Sequence, residues 1–191
     1  DDTIEHGPLE CLFTVDEETG LTGAFALKEG FMNGDILLNL DSEDEGELFI
    51  GCAGGIDSVA EFTYKEVEVP AGYFFFKVEV KGLKGGHSGG DIHLGRGNAN
   101  KLLARVAHDV LIEFDSQLAS FEGGNMRNAI PREACAVLVF NPEDTEGLEE
   151  YIKEYEAQIN AEYAPIESGI TLTIEPVELP AAIVPAEIQD N

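Results

Sequence analysis

Residues 73–114 read YFFFKVEVKGLKGGHSGGDIHLGRGNANKLLARVAHDVLIEF, and this stretch decides the fold. Its first part, residues 73–80, is aromatic and then alternates Val with charged residues, which is typical of a strand. A glycine-rich segment, residues 81–98, follows and leads into an amphipathic helix. The apolar stripe of this helix is Leu102, Leu103, Val106, Ala107, Val110, Leu111 and Phe114. Asn98 or Asn100 is the predicted N-cap, because an Asn side chain can accept a hydrogen bond from a free backbone N–H of the first turn.

The segments that follow extend this unit to six elements. Residues 118–121 and 134–140 predict a pair of strands around a Gly-Gly turn, and a second helix begins at residues 142–145. Its apolar stripe is Leu148, Tyr151, Ile152, Tyr155 and Ile159. A last strand covers residues 170–174. The order strand–helix–strand–strand–helix–strand is that of the ferredoxin-like split βαβ fold, which we assign to residues 55–177.

The two ends of the chain have a different character. Residues 11–15, 35–40 and 48–50 are short apolar runs of the strand type, and apolar residues at helical spacing lie between the first two. This alternation predicts part of a mostly parallel α/β sheet in residues 1–54, which are too few to close such a sheet alone. The proline-containing residues 178–191 are predicted to be a linker-like tail.

Composition restricts the classes of partner. The 191 residues contain 11 Lys and Arg against 38 Asp and Glu, a formal net charge of −27, which disfavours binding to nucleic acid or to an anionic membrane. No apolar run approaches the roughly 20 residues that span a bilayer. Three widely spaced cysteines argue against a disulfide framework and favour a reducing, cytoplasmic setting.

Two groups of carboxylates follow predicted strands of the first segment. Residues 16–18 read DEE and residues 41–47 read DSEDEGE. Because carboxyl ends of neighbouring parallel strands meet at one sheet edge, these groups could share a divalent cation, with a spare carboxylate as general base. The alternative is a solvated acidic loop in a very acidic protein. An EF-hand is excluded, because Cys52 occupies the position that requires a bidentate Glu.

Two further segments carry polar side chains suited to ligand binding. His87 lies between two Gly-Gly pairs and could donate a hydrogen bond to a carbonyl oxygen or an oxyanion. Residues 123–132 contain two of the four arginines of the chain, Arg127 and Arg132, which suits a ligand with a carboxylate. The alternatives are an incidental His in a flexible hairpin and arginines that pair with surface acids.

Four segments together resemble the dinuclear zinc exopeptidases, and among them the aminoacyl-histidine dipeptidases. They are EHGPLECLFTVDEETGLTGAFAL (5–27), DILLNLDSEDEGELFIGCAGGID (35–57), VKGLKGGHSGGDIHLGRGNANKLL (80–103) and RNAIPREA (127–134). The resemblance implies an α/β catalytic domain with two zinc ions and an inserted lid domain that binds substrate and forms a homodimer. It also implies a cytoplasmic hydrolase whose substrates are Xaa-His dipeptides.

The resemblance assigns roles by position. Glu17 corresponds to the general base that activates water, and Glu18 and Asp41 resemble zinc ligands. His87, in the lid, resembles the histidine that polarises the substrate carbonyl. Asn128 resembles a substrate-binding residue of the lid, and Arg127 is a second candidate for that role.

The chain also departs from the family pattern. The upstream histidine–x–aspartate pair, the bridging aspartate and the last histidine ligand have no counterpart in these 191 residues. Because a catalytic zinc site usually needs three protein ligands, we expect the isolated chain to be inactive and to bind no zinc. The alternative from another class is a ferredoxin-like binding or dimerisation module without catalysis of its own, and a halophilic or calcium-buffering protein would rest on charge alone.

Overall fold

The computed structural model describes residues 3–41, 44–52, 54–69, 71–178 and 182–189. The chain divides into two compact units, Asp1–Val59 and Ala60–Asn191. The division falls just beyond the domain boundary predicted between residues 54 and 55. Among the described residues, no helix is long and apolar enough to cross a membrane.

The first unit contains two short helices, α1 (Glu17–Gly20) and α2 (Thr22–Phe25). The three strands predicted at 11–15, 35–40 and 48–50 are absent from the described part of this unit. Most of their apolar side chains are exposed to solvent, with Phe13 90% and Leu48 97% exposed. A strand of a parallel sheet needs hydrogen-bonding neighbours and cover on both faces, which a segment of this length does not supply to itself.

The second unit is built on a four-stranded antiparallel sheet. Its strands are β1 (Phe74–Lys81), β3 (Gln117–Gly123), β5 (Ala134–Phe140) and β6 (Thr171–Pro176), in the spatial order β3-β5-β1-β6. Two further strands, β2 (Gly86–His87) and β4 (Ala129–Ile130), form a separate two-stranded sheet. Helices α3 (Ala99–Glu113) and α4 (Leu148–Tyr163) connect the strands of the larger sheet. This is the ferredoxin-like arrangement predicted from the sequence.

The main core lies between the larger sheet and the two long helices. The predicted helical stripes supply most of it, because residues three and four apart share one face of a helix. Fully enclosed side chains from all layers include Val78, Val80, Leu103, Val106, Val110, Leu138, Phe140, Ile152 and Ile159. The rings of Phe76 and Phe140 meet edge to face across the sheet, with centroids 5.5 Å apart. The stripe at Leu111 and Tyr151 is only partly buried at the rim.

The structure also decides the capping of α3. The side chain of Asn98 accepts a hydrogen bond from the backbone N–H of Lys101 at 3.2 Å, so Asn98 is the N-cap. The side chain of Asn100 instead donates to the carbonyl oxygen of Gly123 at 3.2 Å. The first turn of α3 is thereby tied to the end of β3.

The second face of the sheet is covered in part by the end of the chain. Ile183 is 2% exposed and packs with Phe75 and Val139, and its backbone exchanges two hydrogen bonds with Val67. The backbone N–H of Val184 donates to the carbonyl oxygen of Leu118 at 3.0 Å. Residues 182–189, expected to be linker-like, therefore pack against the sheet and end in α5 (Ala186–Gln189). These residues cover the apolar patch that Phe75 and Val139 form on this face. Both lie far from Ile183 along the chain, so no pattern within the tail itself predicts the contact.

The rest of this face carries charged side chains. Lys77 on β1 pairs with Glu175 on β6 at 2.6 Å, and Lys81 pairs with Glu79 at 2.8 Å. The hydrogen bond from Lys77 lowers the pKa of the Glu175 carboxyl below its ordinary value. The odd-numbered residues of β1 face this side because side chains alternate along a strand. The alternation of Val with charged residues therefore predicted the strand correctly.

Candidate functional site

The smaller sheet brings together residues of the two polar loops. His87 on β2 lies opposite Ala129 on β4, and the backbone N–H of Ser88 donates to the carbonyl oxygen of Asn128 at 2.8 Å. His87 and Asn128, which are far apart in the sequence, therefore lie on adjacent strand ends. Arg127 precedes Asn128 in the same loop and is exposed.

The ring of His87 has a defined hydrogen-bonding state. Its Nδ1 atom accepts hydrogen bonds from the backbone N–H groups of Gly89 and Gly90, each at 3.0 Å. Because Nδ1 acts as the acceptor, the neutral ring carries its proton on Nε2. A Cβ atom on Gly89 would lie 3.3 Å from the ring, so the glycine allows this close approach. The exposed His87 side chain thus offers an N–H donor.

The loop that carries His87 is braced by one ion pair. The Oδ2 atom of Asp91 accepts from the backbone N–H of His87 at 2.9 Å and from Nη1 of Arg96 at 3.2 Å. The same Nη1 atom donates to the carbonyl oxygen of Gly85 at 2.6 Å. The residues before and at His87 are therefore held from both sides by Asp91 and Arg96.

A buried carboxylate joins the two ends of this loop. Glu167, which is 4% exposed, accepts from the backbone N–H of Lys84 at 3.0 Å and from that of Gly97 at 2.9 Å. The two bonds use different carboxylate oxygens. Residues 84–97 thus form a closed loop around His87.

The neighbouring loop is fixed by the start of α3. The backbone N–H of Ala99 donates to the carbonyl oxygen of Pro131 at 3.0 Å, while Asn100 holds Gly123. Residues 123–131 are therefore attached to one helix end at both of their ends. A cavity of about 690 Å³ lies along this loop. Its lining includes Lys84, Gly86, Met126, Ile130, Arg132 and Cys135.

The acidic residues that the structure describes in the first unit are exposed. Glu17 and Glu18 lie in the first turn of α1, and Asp41 follows in an irregular segment where its backbone N–H donates to Oδ1 of Asn39 at 3.0 Å. Asp16, the first residue of the same acidic group, accepts hydrogen bonds from the hydroxyls of Thr19 and Thr22. These bonds lower the pKa of Asp16 and engage its carboxylate locally.

No metal centre is assembled within the described ranges. There, no three His, Cys, Asp or Glu side chains lie close enough together to hold a metal ion. Ser42 and Glu43, from the second acidic group, lie outside the described residues. The carboxylates of Glu18 and Asp41 have suitable donor chemistry for zinc, but the described chain does not complete a ligand set. The roles predicted for Glu17, Glu18 and Asp41 remain predictions.

Sequence reasoning did not single out Asp91, Arg96 or Glu167. Asp91 and Arg96 belong to the glycine-rich segment, in which the sequence pointed only to His87. An acidic and a basic residue five positions apart in a loop could have suggested a local ion pair. Glu167 has no such signal, because its partners lie 83 and 70 positions away along the chain.

Comparison with known proteins is consistent with this geometry. Residues 78–167 match the family model described as the peptidase dimerisation domain, of the M20 type. The chain is 44% identical to the cytosol non-specific dipeptidase of Escherichia coli (strain K12), over all of this chain and 39% of that protein. The crystal structure of aminoacylhistidine dipeptidase from Vibrio alginolyticus superimposes with a TM-score of 0.71 at 41% identity. That match covers 93% of this chain and 36% of the other.

The ferredoxin-like unit, with the small β2–β4 sheet beside it, is therefore similar to a peptidase dimerisation domain over residues 78–167. The match to the M20 dimerisation domain covers residues 78–167, and the two relatives that match over nearly the whole chain are dipeptidases. The chain spans 39% of the length of the curated relative that it matches. The ferredoxin-like fold and the resemblance to dipeptidases predicted from the sequence are confirmed.

Proposed function

We propose that this chain is a segment of a zinc-dependent dipeptidase, in which the dimerisation domain acts as a lid and supplies His87 and Asn128 to the substrate. The pairing of β2 with β4 carries the proposal, because it places these two residues on adjacent strand ends. The named relatives, a cytosol dipeptidase and an aminoacylhistidine dipeptidase, support a cytoplasmic enzyme that hydrolyses Xaa-His dipeptides.

His87 suits the stabilisation of a developing negative charge. Its Nδ1 atom accepts from two backbone N–H groups, so Nε2–H is the donor that this exposed side chain can offer to a ligand. In amide hydrolysis the scissile carbonyl oxygen becomes an oxyanion, and a fixed donor at that position stabilises the transition state more than the ground state. Asn128, and Arg127 as a second candidate, would orient the rest of the dipeptide.

Glu17, Glu18 and Asp41 have the chemistry for the other half of the reaction. We assign Glu17 as general base and Glu18 and Asp41 as zinc ligands in the longer protein, with the remaining ligands outside these 191 residues. Two bound zinc ions would supply a Lewis acid and an activated water. The described residues alone do not form that site.

Zinc titration and hydrolysis assays test this assignment. We expect the 191-residue chain to hydrolyse no Xaa-His dipeptide with added zinc and to show no zinc binding in calorimetry, because two carboxylates fall short of a three-ligand site. A full-length protein containing this segment should bind zinc tightly and hydrolyse the dipeptide. In that protein, Glu18→Gln and Asp41→Asn should each reduce zinc affinity, while the control Glu29→Gln, an exposed acid of the same unit, should leave it unchanged.

Zinc-dependent hydrolysis by the 191-residue chain would contradict the proposal that the remaining zinc ligands lie outside these residues. Unchanged zinc affinity in both full-length variants would contradict the ligand assignment.

Homodimerisation is the second part of the proposed function. Strand β3 lies at an edge of the sheet, and the end of the chain contacts it at Leu118. Beyond that contact β3 continues to Gly123, with the Phe121 ring 37% exposed. An edge strand presents backbone groups that a second copy of the same strand can pair with. We propose that the second copy binds along residues 120–123.

Sedimentation equilibrium measures this association. We expect the wild-type chain to be a dimer at micromolar concentration. The dissociation constant of the Phe121→Lys dimer should be at least about tenfold higher, since a charge replaces an apolar contact. Phe74→Lys is the matched control, because Phe74 is an exposed phenylalanine on β1, in the interior of the sheet order. A dimer that is weakened by Phe74→Lys and not by Phe121→Lys would place the interface elsewhere.

A further inference from the structure

We infer that Glu167, together with the Asp91–Arg96 pair, positions His87 by closing and bracing the loop of residues 84–97. This inference rests on the proposed function of His87 and extends it to three residues that act through the His87 loop. The feature that carries it is a buried carboxylate whose two oxygens bind the two ends of the loop.

A buried carboxylate is costly unless each oxygen is hydrogen-bonded. Glu167 is 4% exposed, and its two oxygens accept from backbone N–H groups at 3.0 and 2.9 Å. The donors, Lys84 and Gly97, are the first and last residues of the loop. Hydrogen bonds to a charged acceptor are stronger than those between neutral groups. Glu167 therefore holds the two ends of the loop together.

A second brace acts inside the closed loop. Asp91 accepts from the His87 backbone, and Arg96 links Asp91 to the carbonyl oxygen of Gly85. The backbone at His87 and just before it is thus fixed by one ion pair. A Cβ atom on Gly86 would lie 2.5 Å from Oδ2 of Asp91, so the brace leaves no room for a side chain at that position.

These contacts determine where the donor of His87 points. The ring is oriented through Nδ1 by Gly89 and Gly90, which belong to the same loop. If the loop opens, these two N–H groups separate from the ring and the Nε2–H donor is no longer held in one direction. A donor that is fixed before the reaction contributes more to catalysis than one that must be ordered during it.

Hydrogen exchange on the 191-residue chain tests the role of Glu167. The Glu167→Gln variant keeps the shape of the side chain, but its amide can accept only one of the two bonds and presents N–H₂ to the other donor. We expect the amide protons of Gly89 and Gly90 to exchange at least about tenfold faster than in the wild type, because the loop opens locally. The ring nitrogens of His87, followed by NMR, should lose the single Nε2–H tautomer.

Glu156→Gln is the matched control. Glu156 also accepts from a backbone N–H, that of Leu172 at 2.7 Å, but it does so on β6 and not on the His87 loop. We expect this variant to leave the Gly89 and Gly90 exchange within about twofold of the wild type, since distant sites act independently. Equal effects of Glu167→Gln and Glu156→Gln on the exchange rates of these amides would overturn the inference. So would a Glu167→Gln variant that keeps both the wild-type exchange rates and the Nε2–H tautomer of His87.

If Glu167→Gln does not fold by circular dichroism, Asp91→Ala replaces it as the test. Asp91 is partly exposed, so its removal should leave the core intact while releasing the His87 backbone. The same faster exchange at Gly89 and Gly90 is expected, and wild-type exchange would overturn the inference.

In a full-length dipeptidase, a loosened loop should lower kcat with little change in KM. A loosened loop with unchanged kcat would contradict the catalytic role of His87 and leave the positioning inference standing.

Discussion

Replacing His87 with alanine in a full-length dipeptidase that contains this segment should lower kcat for a Xaa-His dipeptide by about 10²–10³-fold. The value is that expected when one fixed donor to an oxyanion is removed. KM should change by less than about threefold, because the interaction is made mainly in the transition state. Steady-state kinetics with a saturating dipeptide measures both constants.

His93→Ala is the matched control for this experiment. His93 is also exposed and lies in the same closed loop, but it is not on the strand that pairs with β4. Its replacement should leave kcat within about twofold of the wild type. A loss of less than threefold in His87→Ala, or an equal loss in His93→Ala, would remove His87 from the catalytic site.

Replacing Phe140 with alanine should destabilise the ferredoxin-like unit by about 3–5 kcal/mol, the usual cost of removing a buried phenylalanine. Phe140 is 0% exposed, lies on β5 in the interior of the sheet order, and meets Phe76 edge to face. The loss is a large part of the roughly 5–15 kcal/mol by which a domain is stable. Urea denaturation followed by circular dichroism measures it.

Phe74→Ala serves as the control for Phe140→Ala. Phe74 is the partner of Phe140 in the β1–β5 register, but it is 50% exposed at the end of its strand. We expect a loss of about 1 kcal/mol or less, since truncation of an exposed ring leaves no cavity. Comparable losses from the two variants would mean that the core described between the sheet and helices does not carry the stability of this unit.

The two predictions concern different parts of one unit. Phe140 belongs to the core that holds the sheet and helices together, whereas His87 lies on a loop attached to them. The attachments are Glu167, which follows α4, and the start of α3. Since both attachments depend on the packing of the helices, loss of the core should also release the loop. The His87→Ala variant, in contrast, should retain the stability of the wild type.

Local patterns predicted the elements of the ferredoxin-like unit. The Val–charge alternation of β1 and the apolar stripes of α3 and α4 correspond to the two periodicities of the backbone, and both appear in the structure. The same reasoning was wrong for residues 11–15, 35–40 and 48–50, which form no strand in the described part of the first unit. Apolar runs indicate that a segment favours burial, but strand formation also requires neighbours.

The candidate site was predictable in its chemistry and not in its bracing. The glycines around His87 and the scarcity of arginine directed attention to two loops, which the pairing of His87 with Ala129 joins. The roles of their residues in a site remain predictions. The position of Glu167 could not be read locally, because its two donors belong to a segment far upstream.

The order of elements, the helical faces and the polar composition of the loops were determined by the sequence itself, because each depends on residues a few positions apart. Only the tertiary structure decided that residues 182–189 cover the sheet and that a buried carboxylate closes the His87 loop. Both depend on contacts between distant segments, whose free energy comes from burial and from satisfied backbone groups that no local pattern records.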